Sequence, residues 1–298
     1  KGGIEFALQL GIGALALEGQ LLYRRGHIEW RTREGDPEAS LHAAALVAIA
    51  AHDDGTAADA WTYLSFLVNG QGHRADAERW SSYAAAAIER MGGDDVREVH
   101  RLHYLGYILE GDARRLAEAA AIAERAHGLI ARAGAPADLV LANDNLRAGI
   151  DLQTGRYADA LPLYRHALEA DELRVGSDNP GISTSLENEA VTLVLLGRAA
   201  EAVPIYERVL AIQAKAGGYG KDNGAWARVG LARAERQLGG FAPALADDER
   251  AIATYDSEPT PAGAVGNALF GKGEDLLGLG RAREAIARNT HRFDPHVL

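Results

Sequence analysis

The chain has 298 residues, of which 47% are hydrophobic and 24% charged, and this is the composition of a folded protein and not of a disordered one. A formal net charge of -11 disfavours binding to nucleic acid or to an anionic membrane, and the lack of cysteine excludes disulfides, thiolate metal sites and a thiol nucleophile. The longest purely apolar run, Ala43 to Ala51, is far shorter than the roughly 20 residues that a membrane span needs.

Residues 1–57 carry helical patterns that do not share the period of the rest of the chain. Helices are predicted at Ile4 to Arg24 and at Pro37 to Ala51, the second with Asp36 as its N-cap and a proline in its first turn. We expect a divergent amino-terminal cap, or a degenerate repeat, that covers one end of the array. The chain does not begin with methionine, so we expect it to be part of a longer protein.

From about residue 58 onward, a six-residue pattern recurs that starts with glycine and ends with alanine. Its clearest copies start at Gly72, Gly155, Gly197, Gly239 and Gly280. The last four glycines stand 42, 42 and 41 residues apart, a period that signals stacked supersecondary units. Each glycine suits a helix end, because glycine adopts the left-handed conformation without a Cβ penalty. We therefore predict an array of about five to six helical hairpins over residues 58–298, the last one truncated, with a short insertion in the unit around Gly111.

Small and aromatic residues recur at fixed distances from these glycines. The side chain is small seven residues before the glycine, and nine residues after it two units place Tyr164 and Tyr206, where a ring fills the volume between closely packed helices. This alternation, with Trp61 eleven residues before its glycine, resembles the tetratricopeptide repeat. The 42-residue period and the linker at residues 176–180 resemble the long-helix variant of kinesin light chains and of many bacterial proteins.

The resemblance implies an all-α fold, a right-handed α-solenoid of stacked antiparallel helix hairpins, and a role in binding other proteins. The alanine-rich repeats also look like the carboxy-terminal regions of bacterial, myxobacterial-type serine/threonine kinases, which implies a signalling role. Bacterial regulators and signalling ATPases carry similar arrays, so this finer assignment stays open.

Charged residues stand at two places where the repeat normally has an apolar side chain. Eight residues before the glycine they are Arg147, Glu189 and Lys272, and four before it they are Asp151 and Glu235. A buried charge is costly unless it is paired, so we predict an inter-repeat ion-pair ladder. In this ladder Arg147 meets Glu189 and Asp151, and Lys272 meets Glu235. The alternative is that the longer helices leave these side chains half exposed.

The sequence holds no residue pattern typical of an active site. The glycine loop, the catalytic loop and the Asp-Phe-Gly element of kinases are absent. The segment at residues 218–222 lacks the spacing of a phosphate loop and is predicted to be a linker. His100 and His103 share a helix face but lack a third metal ligand. We therefore predict no catalysis, no cofactor and no metal site in this chain, a statement that does not extend to a larger parent protein.

The first helix of each hairpin lines the concave face of such an array, so counting back from the glycines identifies the side chains that point into it. These candidate groove residues are Phe66, Asn69, Asn145, Glu187, Trp226, Val229, Arg233, Arg236, Asn267 and Phe270. Trp226 and Phe270 would anchor apolar side chains of a partner, and Arg233 and Arg236 would donate to its carboxylates. The alternative is that Trp226 covers a helix joint and the arginines are solvated.

Three functions follow from these features. The first is a cytoplasmic scaffold that binds a protein or peptide segment in the groove, a location that fits the absence of cysteine. The second is a regulatory or sensory domain of a larger signalling protein, such as a bacterial serine/threonine kinase. The third is self-association into a homo-oligomer through the last hairpin, whose second helix is predicted to end near His291.

Overall fold

The computed structural model describes the backbone of residues 2–134, 136–216, 221–256 and 262–289, and the side chains of residues 11–134, 136–216, 224–256 and 263–286. These ranges contain fourteen α-helices and no strand. In chain order the helices are α1 Gly2–Thr32, α2 Pro37–Ala50, α3 Asp54–Gly70, α4 Arg74–Arg90, α5 Asp95–Glu110, α6 Leu116–Ala133, α7 Ala137–Gln153, α8 Tyr157–Val175, α9 Ser183–Leu195, α10 Ala199–Lys215, α11 Lys221–Gln237, α12 Phe241–Asp256, α13 Ala262–Gly278 and α14 Ala282–Asn289. None of the helices within the described ranges has the length and hydropathy that crossing a membrane requires.

The helices form two compact units, Lys1–Thr154 and Gly155–Leu298, which we call unit 1 and unit 2. In unit 1 the hairpins α1/α2, α3/α4 and α5/α6 pack in order, and α7 packs on α6. In unit 2, α8 packs on α9, and the hairpins α9/α10, α11/α12 and α13/α14 pack in order. The fold is an α-solenoid of stacked antiparallel helix hairpins, as predicted. The division into a cap at residues 1–57 and an array at residues 58–298 stays a prediction; α1 and α2 themselves form a hairpin that packs on α3.

The turn glycines have the conformation that the repeat pattern predicts. The five are Gly72 (φ 88°), Gly155 (φ 79°), Gly197 (φ 76°), Gly239 (φ 83°) and Gly280 (φ 75°). All lie in the left-handed region, where a Cβ is unfavourable. Gly111 differs, because its φ is -64° and a 3-10 turn at Ala113–Arg115 follows it before α6 begins. The insertion predicted for this unit is therefore a short extra turn.

Aspartate side chains cap the amino ends of α2, α3 and α5. At α2 the Asp36 carboxylate accepts a hydrogen bond from the backbone N–H of Ala39 at 3.0 Å, and Pro37 stands in the first turn, as predicted. Asp53 and Asp94 accept the same bond, each at 3.0 Å, from the N–H three residues further on. These bonds satisfy donors that a helix start otherwise leaves free.

The first helix is longer than predicted. The expected helix at Ile4 to Arg24 is part of α1, which continues to Thr32. Gly26 lies within this helix, on the side that packs on α2. A Cβ at Gly26 would lie 2.7 Å from Cγ of Leu41, so only glycine permits this close approach of α1 to α2.

The small and aromatic positions of the repeat form the cores of both units. Seven residues before the glycine, and five after it, the side chains Ser65, Ala148, Ala190, Ala232, Ala77, Ala160, Ala202 and Ala244 have no exposed area. Tyr164 and Tyr206, which the sequence assigns to the remaining volume, are buried as well. Close helix crossings and ring filling therefore operate together in the two repeats that carry these tyrosines.

The charged residues eight positions before the glycine are paired, but with partners other than those predicted. Each bonds to the second helix of the preceding hairpin, 23 or 24 residues earlier in the chain. The three ion pairs are Arg147–Glu124 at 3.0 Å, Glu189–Arg165 at 2.7 Å and Lys272–Glu249 at 2.5 Å. A ladder of ion pairs between repeats therefore exists in a different register.

The predicted partner of Lys272, Glu235, was wrong for a geometrical reason, whereas the pairings of Arg147 with Glu189 and with Asp151 stay predictions. The prediction joined equivalent positions of successive first helices, whereas the helix that lies against each of these side chains is the second helix of the previous hairpin. The alternative of half exposure fails for Glu189 and Lys272, whose side chains are each only 10% exposed. It holds for Arg147, Asp151 and Glu235, which are half-buried. Such buried charges need their partners, because an unpaired one would be strongly destabilising.

Candidate protein-binding groove

One face of unit 2 contains an open cavity of about 630 Å³, which we call the unit 2 groove. The first helices α9, α11 and α13 line it, together with Tyr206 of α10. Seven of the ten predicted groove residues are brought together there: Glu187, Trp226, Val229, Arg233, Arg236, Asn267 and Phe270. The volume is within the range of sites that bind a small ligand or a few side chains of a peptide.

The groove is open because α11 and α13 carry glycine at one position of the repeat. Nine residues before the turn glycine, the three first helices of unit 2 carry Asn188, Gly230 and Gly271, all of which line the cavity. A Cβ at Gly230 would overlap the ring of Tyr206, which packs against the α11 backbone at this point. Tyr206 thus forms the floor, and the missing side chains leave the space above it open. Sequence analysis missed these four residues, although the spacing from the turn glycines marks three of them.

Two aromatic rings form the exposed apolar surface of the groove. Trp226 on α11 is 47% exposed and Phe270 on α13 is 69% exposed. Val229, half-buried, and Val191 add apolar surface between them and α9. Large apolar side chains exposed together within a concavity are typical of a binding site, whereas single exposed ones are common on any protein surface.

The two arginines of the groove have different roles. Arg233 is exposed and makes no hydrogen bond or ion pair with any part of the chain that the structure describes. Arg236 is held in place: its Nη2 donates to Oδ2 of Asp248 at 3.1 Å, and its Nε lies 3.2 Å from Oδ1 of Asp275. Buried carboxylates thus hold Arg236, while its Nη1 has no hydrogen-bond partner among the described residues, so a donor role of both arginines toward a partner stays a prediction.

Asp248 and Asp275 form a buried acidic pair under the groove. The side chains of both have no exposed area. Burial raises the pKa of Asp248 to about 8 against the opposing charge of Arg236, and burial likewise raises the pKa of Asp275. The positive charge of Arg236 thus stabilises this buried pair of carboxyl groups.

Glu187 places a titratable carboxyl group at the α9 side of the groove. Its Oε1 is buried and has no hydrogen-bond partner among the described residues. Burial raises its pKa to about 7, and burial together with the nearby Glu187 raises the pKa of the Tyr206 hydroxyl. The charge of the groove therefore changes near neutral pH.

The other three predicted groove residues lie in unit 1. Phe66 is half-buried, and its ring centroid is 4.9 Å from that of Tyr104 and 5.6 Å from that of Trp30. Asn69 and Asn145 are half-buried on α3 and α7. Phe66 is occupied by neighbouring rings, so it does not have the free surface of Trp226 or Phe270.

The remaining sequence hypotheses concern metal, phosphate and the last helix. The His103 ring packs edge-on against Tyr107 at 4.8 Å, and burial lowers its pKa to about 4. In the ranges whose side chains are placed, no cluster of three or more His, Asp or Glu residues is suited to a metal ion. Residues 218–220 of the proposed linker, and the predicted helix end near His291, lie outside the described residues.

Comparison with known proteins gives a consistent result for the repeat. The tetratricopeptide repeat model matches residues 139–215 and 182–257. No curated protein matches the sequence. Among solved structures, the kinesin light chain-type TPR-like repeats of Podosopora anserina superimpose with a TM-score of 0.52 at 20% identity, covering 64% of this chain and 91% of that one.

Two further structures are similar over more of the chain. BtubC (BKLC) from P. vanneervenii has a TM-score of 0.57 at 19% identity, with 86% of this chain and 95% of that chain covered. A STAND signal transduction ATPase with a tetratricopeptide repeat sensor from Pyrococcus horikoshii has a TM-score of 0.62 at 15% identity, with 92% and 43% covered. At these identities the similarity concerns the fold.

Proposed function

We propose that this chain, which contains tetratricopeptide repeats of the kinesin-light-chain-like type, is a protein-interaction scaffold that holds a segment of a partner protein in the unit 2 groove. One observation carries the proposal: two exposed aromatic rings and an unpaired arginine line the same cavity. Tryptophan and arginine are the residue types that contribute most to binding energy at protein interfaces.

The chemistry of the groove favours a segment that places an apolar side chain next to a carboxylate. Trp226 and Phe270 offer apolar surface to the side chain, and Arg233 can donate two parallel hydrogen bonds to the carboxylate. Since Arg236 is held by Asp248 and Asp275, Arg233 is the guanidinium that is free to turn toward such a carboxylate.

Glu187 adds a charge that depends on pH. When it is ionised it repels the carboxylate of such a segment, and when it is protonated it does not. Because burial raises its pKa to about 7, we expect the affinity for an acidic segment to fall as the pH rises from 6 to 8.

The test uses peptides selected on the full chain from a displayed random library, with affinities measured by fluorescence polarisation. We expect Arg233→Ala to weaken binding about tenfold or more, since a hydrogen bond to a charged group contributes about 1.5–3 kcal/mol. Trp226→Ala should weaken it by a similar or larger factor, because truncating an interface anchor costs about 2 kcal/mol or more. Both variants should keep the helical content and stability of the parent.

Matched controls lie outside the groove. Arg283 is an exposed arginine of α14, and Leu173 of α8 is 90% exposed, so Arg283→Ala and Leu173→Ala test whether loss of any surface cation or apolar group has the same effect. Unchanged affinity in both groove variants, or equal losses in the controls, would reject the groove as the binding site.

A regulatory or sensory role inside a larger signalling protein is the second candidate. The similarity to the STAND protein supports it, because this chain corresponds to only 43% of that protein's length. We propose that this larger protein is a bacterial, cytoplasmic signalling enzyme to which the array is fused. The activity of such a full-length protein should change when Arg233 is replaced by Ala, and an activity unaffected by that change would contradict a regulatory use of the groove.

A further inference from the structure

Two carboxyl groups and one guanidinium are enclosed where α11, α12 and α13 meet, beside the unit 2 groove. Asp248 of α12 and Asp275 of α13 have no exposed area, and Arg236 of α11 lies 3.1 Å from Oδ2 of Asp248 and 3.2 Å from Oδ1 of Asp275. A Cβ at Gly271 would collide with Nη2 of Arg236 and with Oδ2 of Asp248, so the backbone of α13 lies directly on this ion pair. The position of α13 therefore depends on these three side chains.

The charges and hydrogen bonds of the three side chains do not balance while both carboxyl groups are ionised. One guanidinium would then face two carboxylates, and one negative charge would stay uncompensated without access to water. Oδ1 of Asp248 and both oxygens of Asp275 are buried and receive no hydrogen bond from the protein groups that the structure describes. The two carboxyl groups are within hydrogen-bond reach of each other. A single proton removes both deficits, because Asp248 as a carboxylic acid donates its O–H to Asp275 and the net charge becomes zero.

The other charged groups of these helices do not supply a second cation to the pair. Among the side chains that the structure places, four cations are bonded to other carboxylates: Arg228–Asp247 at 2.8 Å, Arg250–Asp247 at 3.3 Å, Lys272–Glu249 at 2.5 Å and, at the start of α14, Arg281–Glu284 at 2.8 Å. Arg233 is exposed in the groove. The acids that face the pair, Glu235 of α11 and Glu274 of α13, add negative charge. A proton is therefore the cation that completes the pair.

We propose that Asp248 and Asp275 share one proton in a hydrogen bond between their carboxyl groups, and that this proton holds α13 against α11 and α12. We call this arrangement the proton lock. Asn267, Phe270 and Glu274 of α13 line the unit 2 groove, so loss of the proton loosens one wall of the groove. The proton lock is a property of the buried side chains and does not depend on which partner the groove binds.

The direction of the pH dependence follows from the burial of the pair. Burial raises the pKa of Asp248 from its ordinary 3.8 to about 8, and burial likewise raises the pKa of Asp275. A chain in which α13 has come away releases the shared proton near pH 4, whereas the closed chain keeps it up to about pH 8. The stabilisation by the proton lock is therefore fully present below about pH 4, decreases through neutral pH and is lost above about pH 8.

The first test replaces each aspartate of the pair with asparagine and follows urea unfolding of the full chain at several pH values. Asp248→Asn and Asp275→Asn each leave one carboxylate for Arg236, so neither variant needs the proton. We expect the unfolding equilibrium constant of the parent to rise about tenfold per pH unit between pH 5 and 7 relative to either variant, because unfolding of the parent releases one more proton. Asp159→Asn, at an exposed aspartate of α8, is the matched control, and its ratio to the parent should stay constant over this range.

Infrared spectroscopy of the parent detects the shared proton directly. When the aspartate carboxyl groups carry ¹³C, the C=O stretch of a protonated aspartate is separated from the bands of Glu187 and Glu235, whose pKa burial raises to about 7. We expect the protonated-aspartate band in the parent at pH 7 and its loss at pH 10. The band of the pair should be absent at pH 7 from both single asparagine variants.

Amide hydrogen exchange, read by mass spectrometry, tests the effect on α13. After correction for the intrinsic pH dependence of exchange, the protection of α13 in the parent should fall between pH 5 and 8, while α8 keeps its protection and Asp248→Asn keeps α13 protected throughout. Three results overturn the proposal: no protonated-aspartate band in the parent at pH 7, a band of the pair that survives in Asp275→Asn, or a protection of α13 that does not change with pH. The first of these is measured on the parent, so the test does not depend on the folding of a variant.

Discussion

The first helices of unit 1 and unit 2 share one repeat but present opposite kinds of surface. Nine residues before the turn glycine, α3 of unit 1 carries Tyr63, which is buried and stacks on His27 with ring centroids 3.9 Å apart. At the same position the first helices of unit 2 carry Asn188, Gly230 and Gly271. At this repeat position α3 thus carries a ring that fills the face, whereas the glycines of α11 and α13 leave it open as a groove.

The aromatic side chains of unit 1 are used mainly for packing against each other. Tyr63, Phe66 and Tyr104 pack against one another, with ring centroids 4.9 to 6.3 Å apart, and Trp30 packs on two of them. Such ring pairs stabilise the unit beyond the area they bury. In unit 2, Trp226 and Phe270 remain exposed, so their binding capacity is available to a partner. The fold is the same, and the difference lies in what the side chains already touch.

The largest effect is expected when each of the two groove arginines is replaced with alanine and the two variants are compared. Arg236→Ala should destabilise the protein by about 3–5 kcal/mol, because it leaves the buried Asp248 and Asp275 without their cation. Arg233→Ala should change stability by no more than about 0.5 kcal/mol, since Arg233 is exposed and unpaired. Urea unfolding followed by circular dichroism measures both, and equal losses would show that Arg236 is not a structural residue.

A second experiment compares one residue type in the two units. Phe66→Ala should cost about 2–3 kcal/mol, because its half-buried ring packs within the unit 1 aromatic cluster. Phe270→Ala should cost less than about 0.5 kcal/mol, because that ring is 69% exposed, but it should weaken binding of the selected peptides. Thermal unfolding and fluorescence polarisation on both variants check this. A reversed pattern would contradict the division between filled and open faces.

The smallest expected effect concerns pH. Burial raises the pKa of Glu187 from its ordinary 4.5 to about 7, so the folded state binds this proton more tightly than the unfolded state does. The stabilising effect of that proton is fully present below about pH 4.5 and is lost as the pH rises through about 7. Glu187→Gln should therefore be more stable than the parent at pH 8, by about 1–2 kcal/mol, with a smaller difference at pH 5.

The control for this titration is Glu169→Gln on the exposed side of α8. Its effect on stability should stay within about 0.5 kcal/mol at both pH values, because an exposed carboxylate has similar surroundings in the folded and unfolded chain. Denaturant unfolding at pH 5 and pH 8 measures all three proteins. A Glu187→Gln variant that follows the parent at both pH values would show that Glu187 is well solvated.

Much of the fold could be predicted from residues whose effect is local. The turn glycines, the N-cap at Asp36 and the small residues at helix crossings were all placed correctly, because each depends on backbone conformation or on the distance between two adjacent helices. The groove was predictable in part for the same reason. Residues at a fixed distance from a turn glycine share a helix face, which is why Trp226 and Phe270 line one cavity.

The sequence by itself determined the period, the hairpins, their turns and the face of each first helix, since these follow from local backbone preference and helical spacing. Only the tertiary structure decided which side chains on that face remain available. Lys272 bonds to Glu249 and not to Glu235, Arg236 is engaged while Arg233 is free, and these outcomes depend on which neighbouring helix brings a charge within reach. A repeat pattern fixes equivalence between positions, whereas partners are chosen by distance in space.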